Sequence, residues 1–137
     1  MRKKKKTIIK EFKNSKMNNE VYKLRRQVIN LIYEIKNNGF NIPRIDVRVG
    51  KSVDCRKLGM ARLNDNIIWI DINTINKSQD YLRNVVYHEL LHTIYGCEHN
   101  EKCPLMSATL KEVLNKNKCL TIFKNYYNKY NNKQQQQ

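Results

Sequence analysis

Fifteen residues from Tyr81 to Tyr95 run without glycine or proline, and Gly96 follows them. Ser78 or Asn76 offers an N-cap for a helix here, and Asp80 puts negative charge in its first turn, where the helix dipole favours it. Val86, Leu90 and Ile94 fall on a stripe that faces a core. Roughly opposite that stripe lie His88 and His92, four positions apart and so on one face. Gly96 suits a left-handed helix stop, and His99 follows it by three residues. All three histidines of the chain therefore fall within twelve consecutive positions. Neutral imidazole is the commonest side-chain ligand for a divalent transition metal. His88 and His92 can grip one ion together, and His99 is placed to fold back as a third ligand. Three protein ligands leave a position open for water, whereas a structural zinc site is closed by four. Glu89 lies about 100° around the helix from His88, where it reaches such a water without ligating the ion. A buried helix whose histidines are only hydrogen-bonded would leave their clustering unexplained.

The run H-E-L-L-H-T-I-Y-G-C-E-H resembles the zincin metallopeptidases, and within them the metzincin clan. That clan is known for H-E-x-x-H-x-x-G-x-x-H followed by a tight turn with a methionine under the metal. Cys103-Pro104-Leu105-Met106-Ser107 is similar to that turn, and Ile67 to Ile72 is similar to the strand before the active-site helix. The resemblance spans roughly residues 45 to 110. Gly96 and His99 each lie one residue later than in the metzincin pattern, a spacing that resembles some small phage and bacterial metallopeptidases. The resemblance implies one zinc ion on His88, His92 and His99, with Glu89 as general base and Met106 as a support that does not ligate. It also implies a peptide or protein substrate laid along the strand-like run Gly59 to Leu63. Some metzincins carry a helper tyrosine two residues after the methionine, where this chain has Ala108. A second resemblance is to SprT-like proteins, known for DNA-associated proteolysis, which share H-E-L-L-H-T, a G-C pair and a further histidine. Those usually continue as a helix after the third histidine, where this chain has Pro104. A gluzincin arrangement would use Glu112 as third ligand, and Cys97 or Cys103 would compete as soft donors.

Charge is the other conspicuous feature. The 137 residues carry a net charge of +15, and eight of the first sixteen are Lys or Arg. Such a tail attracts nucleic acid or another polyanion by counterion release, and it equally suits a solvated disordered end. Enrichment in Lys, Asn, Ile and Tyr is also what an AT-rich coding genome produces. Neither a secretory signal nor a bilayer-spanning run is present, which leads us to expect a cytoplasmic protein, in a host cell or a virion if phage-encoded. In that compartment Cys55, Cys97, Cys103 and Cys119 are expected as reduced thiols.

The remaining pattern predicts one α+β domain over residues 17–130, flanked by disordered tails at 1–16 and 131–137. A helix is expected from about Met17 to Asn38, with Val21, Leu24, Val28, Leu31, Ile32 and Ile35 inward and Gly39 as stop. Ile45, Val47 and Val49 mark a strand, and Leu58 to Leu63 with Ile67 to Ile72 mark a hairpin around Asn64 to Asn66. One or two helices from about Thr109 to Tyr130 complete a small zincin-like fold, a short mixed sheet packed on an N-terminal and an active-site helix. The function expected from these residues is zinc-dependent endopeptidase. The alternatives are a SprT-like DNA-associated protease, a zinc-stabilised nucleic-acid-binding or virion protein, and a degenerate peptidase that binds extended peptides.

Overall fold

A computed structural model describes residues 12–14, 18–53 and 57–135. In chain order these form strand β1 (Phe12–Asn14), helix α1 (Asn19–Asn37), strands β2 (Asp46–Ser52), β3 (Gly59–Ala61) and β4 (Ile67–Asp71), helix α2 (Gln79–Tyr95) and helix α3 (Lys116–Gln135). Short 3-10 turns occupy Ile72–Asn76 and Pro104–Met106. This is a small α+β domain with a mixed sheet in the order β1-β2-β4-β3. The central pair β2–β4 is parallel, and both outer pairs are antiparallel. Among the described residues no helix is long and apolar enough to cross a membrane.

The expected inner face of α1 is buried at every position named: Val21, Leu24, Val28, Leu31, Ile32 and Ile35. Its N-cap is Asn18, whose side chain accepts from the Val21 N–H, and Gly39 takes the left-handed conformation beyond the last turn. Strands β2 and β4 bury Val47, Val49, Ile68 and Ile70, while Asp46 and Arg48 of the opposite parity point to solvent. That alternation follows from the two-residue repeat of a strand. Phe123 of α3 closes the core and meets Phe40 and Tyr87 edge-on.

Three boundaries differ from expectation. Residues 12–14, assigned to the disordered N-terminal tail, pair with β2 and cover a sheet edge whose backbone groups would otherwise lack partners; the rest of that tail, 1–11 and 15–16, lies outside the described residues, as does Cys55. At the other end α3 runs through residues 131–135 of the expected C-terminal tail, in keeping with the good helix propensity of Lys and Gln. Thr109 to Asn115 is not helical. Buried Asn84 claims that backbone, its amide donating to the Leu114 carbonyl at 2.8 Å and its oxygen accepting the Leu114 N–H at 3.1 Å. Helix α3 begins only after Asn115, whose side chain accepts from the Lys118 N–H, and Val113 is exposed.

Candidate metal centre

Helix α2 delivers His88, Glu89 and His92. Ser78 caps its start and accepts from the Tyr81 N–H, while Gly96 ends it at φ 65°. Past that point the Cys97 N–H reaches back to the Leu91 carbonyl at 3.2 Å, wrapping the chain around the helix end. The loop that follows is held by Asn100 N–H to Met106 carbonyl at 2.9 Å and by Met106 N–H to Cys103 carbonyl at 3.0 Å. Closure of this loop returns His99 to the other two histidines. Thr93, Ile94 and Tyr95, between His92 and Gly96, all belong to the helix, so the exit at Gly96 sets where His99 falls.

The three imidazoles converge. His92 Nε2 lies 3.0 Å from His88 Nε2 and 3.1 Å from His99 Nε2, and the three ligand nitrogens fall within 4.8 Å of one another. Nitrogens sharing one tetrahedral zinc at 2.0–2.1 Å would stand about 3.3 Å apart, so the two spacings from His92 fit to within a few tenths of an ångström, with the third pair inside 4.8 Å. Orientation gives a second test. His88 Nδ1 lies 2.7 Å from the Leu105 carbonyl and His92 Nδ1 lies 2.6 Å from the Cys97 carbonyl. A carbonyl only accepts, so each Nδ1 carries the proton and donates it. Burial pushes the His88 pKa down to about 4 and lowers that of His92 as well, so both rings are neutral at pH 7. Two Nε2 lone pairs then face each other, an arrangement that a cation between them relieves. The donor set therefore fits a metal ion, and the two carbonyls are the outer partners that orient ligating histidines.

None of the three alternative donors, Glu112, Cys97 and Cys103, joins the cluster among the described residues. Glu112 is exposed, and the Cys103 thiol interacts with the Tyr126 hydroxyl. Met106 is fully buried in the core, next to Leu105, whose carbonyl meets His88. Ala108 lines the cleft, its N–H donating to Glu101 at 3.1 Å. The same Glu101 accepts from Ser107 Oγ and Lys111 Nζ, ties that hold its carboxyl down at about 2.

Glu89 is 6% exposed, and burial raises its pKa to about 8 while the nearby charge of Lys57 draws it down. Its carboxylate packs on Gly59: a Cβ there would stand 2.8 Å from Glu89 Cγ and 2.9 Å from Oε2. Gly59 and Lys57 were not singled out from the sequence. Glycine inside a strand-like run does signal a close approach, but what approaches is thirty residues away in the chain.

Histidines and carboxylate open into a cleft of about 520 Å³. Strand β3 forms one wall, α2 the floor and Pro104 to Leu110 the other wall. The turn between β3 and β4 is clamped onto α2, with Asn64 N–H donating to the Thr93 carbonyl at 2.9 Å and Asn66 N–H to Thr93 Oγ1 at 2.8 Å. Asn64 and Asn66 both adopt positive φ, which asparagine tolerates better than most residues. The wall is thereby locked to the residue that follows His92. Comparison with known proteins finds no family model, no curated protein and no solved structure that matches this chain.

Proposed function

We propose that this chain is a zinc-dependent endopeptidase of metzincin-like type. One observation carries the reading: two neutral imidazoles aim unprotonated Nε2 atoms at each other and at His99, beside a buried carboxylate, at the floor of an open cleft. His88, His92 and His99 would hold the ion. Bound there, zinc supplies Lewis-acid polarisation of a carbonyl and lowers the pKa of water toward about 7. Glu89, fixed against Gly59 and close to the histidines in sequence and space, would be held ionised by the charge of the bound ion despite its burial, and would take the proton of the attacking water and return it to the leaving amine. Among the described residues strand β3 is a sheet edge that pairs with β4 alone, and Gly59, Met60 and Ala61 line the cleft. An extended peptide can add to that edge through main-chain hydrogen bonds. The 3-10 turn at Pro104–Met106, in place of a continuing helix after His99, favours the metzincin resemblance over the SprT-like one.

Elemental analysis joined to hydrolysis of a peptide library tests this. About one zinc per chain is expected, retained in Glu89→Gln, with cleavage falling by roughly 10²–10⁴-fold in that variant. A protein without zinc, a variant that loses it, or a zinc-loaded chain that cleaves no peptide would each overturn the proposal. The last of these outcomes would point to a zinc-stabilised binding protein.

A further inference from the structure

Lys57 brings a permanent positive charge to the cleft. Among the described residues lining it, Lys57 is the only lysine or arginine and Glu89 the only acid. Lys57 stands two residues before Gly59, at the N-terminal end of β3, and the surrounding wall is largely apolar, with Leu58, Met60, Val85, Leu105 and Leu110. A charge in such a recess interacts more strongly with an opposite charge than one on open surface, because less water screens it. A peptide that adds antiparallel to β3, as β4 does on the other side, runs against the strand direction. Its C-terminal half then passes the end where Lys57 stands.

We propose that Lys57 is a specificity residue that recognises a carboxylate on the C-terminal side of the scissile bond. That group is either the free C-terminus of a short peptide or an Asp or Glu side chain. The inference rests on the peptidase reading for its substrate, and on the cleft alone for the site. Lys57 forms no bond with the reacting carbonyl; it selects which peptides seat along β3.

The test uses the zinc-loaded full chain and peptides of one apolar core. One pair differs as free acid against C-terminal amide; another carries Glu against Gln two residues past the scissile bond. The acidic member of at least one pair should exceed its neutral partner in kcat/KM by on the order of tenfold, as expected for one charge-assisted hydrogen bond, and the pair that responds identifies the source. Lys57→Gln should bring the ratio close to one, and Lys57→Arg should preserve it. Calorimetric binding of mercaptoacetyl-Leu-Gly as acid and as amide should give the same ratio and the same loss in Lys57→Gln, without any turnover. If no peptide is cleaved while the inhibitor pair still separates through Lys57, the peptidase reading fails and the carboxylate site stands. Equal acid-to-neutral ratios in wild type and Lys57→Gln would overturn the site, whatever the variant does to both rates through the charge it removes from beside Glu89.

Discussion

Gly59 shows what a single atom decides at this site. Its Cα is the surface against which the Glu89 carboxylate rests, and a methyl group there would also stand 3.0 Å from the Trp69 carbonyl. The backbone on that side cannot yield, so the Glu89 side chain must. Gly59→Ala is expected to keep its zinc, lose about 1–3 kcal/mol of stability as overpacked sites do, and lose at least about tenfold in kcat through displacement of the base. Kinetics, metal content and urea denaturation on the same preparation check this; unchanged kcat would mean that Glu89 is not held by the glycine. His88, Glu89 and His92 could be recognised in the sequence because one helix spaces them. Gly59 and Lys57 could not, because their relation to Glu89 exists only after β3 has packed on α2.

Helix α2 is the element that turns spacing into geometry. The direction in which the chain leaves it places both His99 and the Cys97 carbonyl that orients His92. Gly96 sets that direction at φ 65°, and Leu63 Cδ1 would lie 2.9 Å from any Cβ added there. Gly96→Ala should therefore cost about 1–2 kcal/mol for the left-handed backbone alone and weaken zinc binding by roughly 10–100-fold, the range seen when a ligand's outer partner is disturbed. Gly96→Asn, which enters the left-handed region more readily, should suffer less in backbone strain. Chelator competition measures both, and equal affinity in wild type and Gly96→Ala would show that the exit angle does not govern the third ligand. The sequence pattern of this helix was legible in cap, face and stop. The start of α3 was not, because Leu110, Val113 and Leu114 read as a helical apolar pattern while Asn84, from another element, takes up the Leu114 backbone.

Across the whole molecule, one ion-pair network joins the three helices behind the site. Arg83 of α2, with a side chain 4% exposed, binds Glu34 of α1 through both oxygens at 2.9 and 3.0 Å. Tyr87 donates to Glu34, Asp80 pairs with Arg83, and Lys116 of α3 lies 3.7 Å from the Glu34 carboxylate. Burial would raise the Glu34 pKa, but the hydrogen bonds from Arg83 and Tyr87 outweigh it and hold the carboxyl below its ordinary value. Its contribution to stability is thus present in full above the unfolded pKa, about 4.3, and is lost as pH falls through the lower folded value. Glu34→Ala leaves the buried guanidinium with half-exposed Asp80 as its remaining acid and should cost about 3 kcal/mol at pH 7, the lower end for a broken buried pair. Urea midpoints at pH 7, 4.5 and 3 should show the gap between wild type and variant shrinking toward acid; a gap that stays constant would mean that ionised Glu34 is not what the variant loses. From sequence alone came the elements that repeat locally: the apolar face of α1, the alternation in β2 and β4, and the helix that carries H-E-x-x-H. Local backbone geometry imposes those periods whatever surrounds them. Tertiary structure alone decided the partners across the chain: β1 on the edge of β2, Glu34 under Arg83, and Gly59 against Glu89. Those contacts depend on where distant elements come to rest, and no period in the sequence encodes that.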